Sequence, residues 1–205
     1  MANFRVVYDA CVLYPASIRD LVVELARTGM FRAKWTVRIH TEWVNAVLRN
    51  RPELNRAQLE RVAELMNSAV LDCLVTGFES LEPGLTELSD SGDRHVLAAA
   101  IHCGAQEIVT FNLRDFPDAA LRPYGIRAIH PDSFVEHLLD LSPEVICDAI
   151  RRIRRRGLNV GQKLGQNPIS TWDKTLYSWQ MVEKTLLKSM VGVTGFEPAT
   201  YTSRT

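Results

Sequence analysis

The stretch Phe4-Arg5-Val6-Val7-Tyr8-Asp9 decides the fold. Its β-branched and aromatic run predicts a strand, and that strand ends in a carboxylate. Working outward, Pro15 opens a helix. Ile18, Leu21, Val22 and Leu25 recur in it at helical spacing, and Gly29 stops it. Thr36 is placed to cap a second helix with the apolar stripe Ile39, Trp43, Val44, Val47 and Leu48, and Pro52 lies beyond its end. A third helix is expected from about Ala57 to Ala69, then a short buried strand over Val70–Val75. Gly77 to Ser89 reads as a loop. Asp90-Ser91-Gly92-Asp93 starts a helix carrying Val96, Leu97, Ala100 and Ile101, which Gly104 ends. Glu107-Ile108-Val109-Thr110-Phe111-Asn112 predicts another buried strand, Leu113 to Asp118 a loop or short helix, and Ile126–Ile129 an edge strand. Ser142-Pro143-Glu144 begins a further helix through Val145, Ile146, Ala149, Ile150 and Ile153. Strands alternating with helices argue for an α/β fold: a central parallel sheet with helices on both faces.

Composition narrows the class. The chain has 205 residues, 46% hydrophobic and 23% charged, ordinary values for a globular domain with a real core. Disorder throughout is excluded. No apolar run approaches the roughly 20 residues that span a bilayer. Asp9 falls where a secretory signal would be apolar, so a cytoplasmic protein is expected. Cys11, Cys73, Cys103 and Cys147 form no CxxC pair, and HExxH is absent, so free thiols are expected rather than a zinc site. The 24 basic and 24 acidic residues cancel, but unevenly. Residues 1–150 hold 14 basic and 21 acidic, a net of −7, and residues 151–205 hold 10 basic and 3 acidic, a net of +7.

Ligands of open parallel sheets sit beyond the carboxyl ends of the strands. Asp9 ends the first strand, Asp90 and Asp93 follow the loop after the expected Val70–Val75 strand, and Asn112 and Asp115 follow the Glu107–Phe111 strand. Glu42 lies at the edge of its helix's apolar stripe and faces the body of the protein. Each acid taken singly has a plainer reading: Asp90 and Asp93 as a helix cap, Asp9 as a turn residue, Glu42 as a solvated charge. Together on one rim they repel. Two unit charges about 4 Å apart cost on the order of 4 kcal/mol at an effective dielectric near 20. Protons or a divalent cation relieve that, and an all-oxygen set suits Mg²⁺ or Mn²⁺.

These residues carry a resemblance. Asp90-Ser-Gly-Asp93-Arg-His-Val-Leu-Ala-Ala-Ala100, followed by Ile108-Val-Thr-Phe-Asn-Leu-Arg-Asp-Phe-Pro117, resembles the PIN domain family, in particular its branch of VapC-type toxin ribonucleases. Val7-Tyr8-Asp9-Ala10-Cys11-Val12-Leu13-Tyr14-Pro15 and Ile39-His40-Thr41-Glu42-Trp43 resemble that branch's first two motifs, in the family's order. The resemblance implies a PIN-like α/β/α sandwich and a metal-dependent endoribonuclease. It makes Asp9, Glu42, Asp93 and Asp115 the catalytic and Mg²⁺- or Mn²⁺-binding acids. Asp90, Thr110, Asn112 and Arg94 become supporting or substrate residues. In-line attack by an activated water would leave 3′-hydroxyl and 5′-phosphate ends. The resemblance also implies a small antitoxin partner and a homodimer. His40, His95 and His102 are read as structural or supporting.

The implied organisation is a PIN-like nuclease domain over residues 1–140, a helical C-terminal appendage over 141–189, and a tail from 190 to 205. The basic run Arg151-Arg152-Ile153-Arg154-Arg155-Arg156 is a candidate surface for RNA or an acidic partner peptide, or simply a solvated helix face. Small helices are expected around Asn167-Pro168 and Trp172 to Leu187. Gly195-Phe196-Glu197-Pro198 can be encoded by a string found in the T-arm of a transfer RNA. The tail is therefore either read-over into such a gene or an ordinary flexible C-terminus, disordered in both cases. A non-catalytic RNA-binding or regulatory module on the same fold is the competing reading. A haloacid-dehalogenase-like phosphatase would want an acid where Cys11 stands, and a receiver domain would want a lysine where none lies between Lys34 and Lys163.

Overall fold

The computed structural model describes residues 4–88 and 90–163. In chain order the elements are β1 (Arg5–Tyr8), α1 (Ala10–Leu13), α2 (Ala16–Ala26), β2 (Arg32–Lys34), α3 (Val37–Asn50), α4 (Arg56–Ala69), α5 (Arg94–Cys103), β3 (Glu107–Val109), α6 (Asp118–Leu121), β4 (Arg127–Ile129), α7 (Pro131–Leu141) and α8 (Pro143–Lys163). Short 3-10 turns cover Glu79–Gly84, Ser91–Asp93, Leu113–Asp115 and Arg122–Tyr124. The four strands form one parallel sheet in the order β2-β1-β3-β4, flanked by helices as an α/β/α sandwich.

β1 is central because its residues are apolar on both faces. Val6, Val7 and Tyr8 are fully buried, and each valine contributes roughly 2 kcal/mol of burial. Tyr8 stacks on Trp35 at 6.1 Å and donates its hydroxyl to the Val22 carbonyl at 3.1 Å, which ties α2 to the sheet. Thr36 caps α3, accepting the Ile39 N–H at 3.0 Å. Gly104 ends α5 in the left-handed region (φ +64°), and a Cβ there would meet Arg5 Nη1 at 3.2 Å. α8 is amphipathic: Ile146, Ala149, Ile150 and Ile153 are buried in the same core, against α2 and α7.

Four segments correct the sequence reading. Val70–Val75 is a turn followed by one isolated parallel bridge, Trp35 to Leu74, and not a strand. Asp72 takes a positive φ of 56° and breaks the run, leaving Leu71 89% exposed. The Asp72 side chain and carbonyl instead receive the ammonium of buried Lys34 from β2, one of the two edge strands, the other being the expected edge strand β4. Asp90 and Asp93 are therefore brought to the rim by the start of α5, not by a strand of the sheet. β2, α1 and α7 have no counterpart among the expected elements. Among the described residues no helix is long and apolar enough to cross a membrane. The segments read as small helices around Asn167-Pro168 and Trp172 to Leu187, and the tail from 190, lie outside the described residues.

Candidate active site

The site is built first from two neighbouring strand ends. Tyr8 pairs with Val109, so the next residues, Asp9 and Thr110, emerge side by side. The Asp9 N–H is anchored on the Val109 carbonyl at 3.1 Å and the Thr110 N–H on Ile129 at 3.0 Å. Both side chains are buried, Asp9 5% exposed and Thr110 not at all. Thr110 Oγ1 donates to Asp9 Oδ2 at 2.7 Å and accepts the Asn112 N–H at 2.9 Å. Cys11 donates its S–H to the same carboxylate oxygen at 3.0 Å, while the Phe111 N–H points at Cys11 Sγ at 3.3 Å. The Asp9 carboxylate is thus held between β1 and the segment leaving β3. Burial pushes the Cys11 thiol up to about 12, helped by the Asp9 charge and the bond to it. Cys11 is a protonated donor, not a nucleophile.

Asp93 closes the 3-10 turn before α5. Asp90, one turn earlier, accepts the Gly92 N–H at 2.7 Å and so caps the turn, in line with its plainer reading. The Asp93 side chain caps nothing. Its carboxyl is pushed up to about 6, first by burial and then by the negative charges of Asp9, Asp90 and Asp115, with His95 opposing. A helix N-terminus favours a carboxylate, so burial and like charge outweigh that pull. Asp115 sits in the 3-10 turn after β3, its N–H on the Asn112 carbonyl at 3.0 Å. The end of β1, the start of α5 and the turn after β3 therefore bring Asp9, Asp90, Asp93 and Asp115 into one electrostatic neighbourhood.

Glu42, on α3, is not among the charges that act on Asp93, and its contact on that side is His95, which is. Its Oε1 lies 2.9 Å from His95 Nε2, an ion-pair distance without hydrogen-bond alignment, and 3.4 Å from Arg38 Nε. Arg38 continues to Glu82 at 3.0 Å. His95 is fully buried and its Nδ1 has no partner. Arg94 is half-buried with an unpartnered Nε, and Asn112 is exposed. His40 is structural: Trp43 Nε1 donates to its Nδ1 at 2.9 Å, and its Nε2 meets Asn67 Oδ1 at 2.9 Å. His102 is exposed on α5.

As they stand, no three His, Cys, Asp or Glu side chains among the described residues form a ready-made metal cage. The donor chemistry nevertheless fits a hard divalent cation. The acids offer oxygen, the one thiol near them stays protonated, and the crowding that lifts Asp93 is the strain that positive charge relieves. Sequence reasoning missed Cys11 as a donor to Asp9 and His95 as the neighbour of Glu42. The only signal for Cys11 was its place two residues after Asp9; for His95 it was the burial expected of its α5 face.

Comparisons with known proteins bear on the fold that carries these residues. The sequence profile described as "PIN domain" matches residues 5–114. A stretch of 52 residues is 60% identical to the protein named "Putative ribonuclease VapC50" of Mycobacterium tuberculosis. That match covers 25% of this chain and 31% of that protein.

Proposed function

The chain belongs to the PIN domain family, and from that premise we propose that it is a metal-dependent endoribonuclease, the toxin of a toxin–antitoxin pair. The observation that carries this reading is the placement of Asp9 at the end of β1, Asp93 at the start of α5 and Asp115 in the turn after β3, close enough that the charges of Asp9 and Asp115 bear on the Asp93 carboxyl. The similarity to a protein named as a ribonuclease supports RNA as the substrate. Asp9, Glu42, Asp93 and Asp115 would hold Mg²⁺ or Mn²⁺. When bound, such an ion acidifies water and neutralises charge on a phosphoryl oxygen. The chain's own residues do the positioning. Thr110 and Cys11 fix the Asp9 carboxylate, and His95 lies against Glu42. Arg94 and Asn112 offer donors to an RNA phosphate at the rim. A cytoplasmic location, a small antitoxin and a homodimer complete the proposal.

One observation favours a second reading. Glu42 is occupied by His95 and Arg38, as it would be in a non-catalytic RNA-binding module of this fold. A single experiment separates the two. The purified full chain with Mg²⁺ or Mn²⁺ is expected to cut RNA, and Asp9→Asn or Asp93→Asn to abolish cutting while the circular-dichroism spectrum is kept. Equal cutting by wild type and both variants refutes the assignment of these acids. Metal binding without cleavage of any RNA selects the second reading.

A further inference from the structure

The basic run on α8 divides into two sets with different work. The buried stripe Ile146, Ala149, Ile150 and Ile153 fixes which way the helix faces. On one flank Arg152 Nε donates to Glu24 Oε1 at 2.6 Å, and Arg156 donates to Glu24 Oε2. These two arginines hold α8 on α2. At 100° per residue, Arg151 and Arg155 lie opposite the stripe and Arg154 lies on the flank away from Glu24. Arg151 is paired with Asp148 at 2.7 Å. Arg154 and Arg155 are exposed and have no carboxylate partner among the described residues.

The direction of α8 places this face in the fold. Glu24 is clasped by both Arg152 and Arg156, while Asp20, one turn nearer the start of α2, feels the charge of Arg156. With rising residue number α8 therefore climbs α2 from its C-terminal to its N-terminal end, antiparallel to it. The start of α2 follows α1, which begins beside Asp9. Glu24 lies near the C-terminal end of α2, so Arg154 and Arg155, between the two residues that clasp it, stand toward the far end of α2 from the acids, on a helix that runs toward them. The acidic rim and the net −7 of residues 1–150 repel a polyanion, so a phosphodiester chain needs a cationic anchor elsewhere.

We infer that Arg154 and Arg155, with Arg151, form a docking track for the phosphate backbone of single-stranded RNA, set apart from the acidic rim on the helix that runs toward it. The inference rests on the ribonuclease reading for its choice of RNA over an acidic peptide. Binding through this track is sequence-independent and salt-sensitive, because each arginine that meets a phosphate releases a counterion.

The test uses the full chain, a fluorescein-labelled mixed-sequence single-stranded RNA, and anisotropy in EDTA over a range of KCl. Arg154→Gln with Arg155→Gln is expected to weaken binding several-fold at low salt. It should also flatten the slope of log affinity against log salt by roughly 1.4, about 0.7 for each arginine replaced. Its melting temperature should match wild type. Unchanged affinity and slope in a folded double variant overturn the track. So does a poly-glutamate peptide that binds wild type and is lost in the double variant while RNA binding is kept, which assigns the face to a protein partner. If the RNA is bound with the predicted slope but never cut in Mg²⁺ or Mn²⁺, the track stands and the nuclease reading falls. If wild type cuts RNA and the double variant binds it equally well, the nuclease reading stands and the track falls.

Discussion

Asp93 and Glu24 are both acids on the helical layer of one small fold, and their surroundings treat them oppositely. Asp93 is pressed by burial and by three other carboxylates, with only His95 in opposition. Burial also acts to raise Glu24, but hydrogen bonds from Arg152 and Arg156, then the charges of Arg156 and Arg27, outweigh it and hold its carboxyl below the usual value. Glu24 is satisfied from within the chain; Asp93 is not. Charge left unsatisfied by the chain itself clusters at sites that a ligand completes. The contrast therefore sets the proposed binding end, at Asp93, against a structural clasp, at Glu24, without reference to any relative.

Removing one charge from each region tests that contrast. The largest effect belongs to Asp93→Asn. We expect cleavage to fall by about a thousandfold, in the range seen when essential catalytic groups are removed. Stability should hold or rise, because a repelled carboxylate has been neutralised. Parallel rate measurements and thermal melts check both halves. A folded variant that is less stable and fully active would break the comparison. Glu24→Gln should do the reverse: cleavage at saturating RNA unchanged, stability lowered by about 1–2 kcal/mol as charged hydrogen bonds become weaker. The figure is modest because the arginines are half-exposed, Arg152 at 51% and Arg156 at 58%.

The same contrast explains how much was legible beforehand. Strands β1 and β3, the Thr36 cap, the α5 start and the Gly104 stop follow from local signals, such as β-branched runs, a hydroxyl before an apolar stripe, and a residue that tolerates positive φ. β2 was not legible because Arg32-Ala33-Lys34 has no apolar pattern of its own; its place comes from pairing with β1 and from Lys34 reaching Asp72. Val70–Val75 misled because an apolar run records burial tendency, not backbone geometry, and the turn at Asp72 is set by that same lysine. At the site, Asp9, Asp93 and Asp115 could be read as strand-end and helix-start acids. That Glu42 meets His95 depends on how α3 and α5 lie together, which no spacing within either helix reveals.

Acid titration sharpens the structural half. Glu24 is depressed in the folded state, so its stabilising contribution is present above the ordinary carboxylate value of 4.5 and lost as pH falls through the lower folded value. Wild type and Glu24→Gln should therefore differ in melting temperature at pH 6 and converge as pH falls toward 3. A constant gap would mean that the glutamine disturbs packing rather than charge.

The smallest effect lies where the two kinds of region touch. Cys11 is half-buried like a structural residue, yet its S–H and the Thr110 hydroxyl share one oxygen of Asp9. Cys11→Ala removes one of two donors to that oxygen. Thr110 remains, so the carboxylate loses direction but not its place. Losing one neutral donor corresponds to about 1 kcal/mol, a fall in kcat of roughly fivefold. Cys11→Ser restores an O–H donor of similar reach and should recover most of that loss. A role in packing alone predicts the opposite order, because alanine is better tolerated than serine among apolar neighbours. Ranking wild type, Cys11→Ser and Cys11→Ala by kcat, with KM unchanged, therefore decides whether the thiol belongs to the site or to the core beneath it.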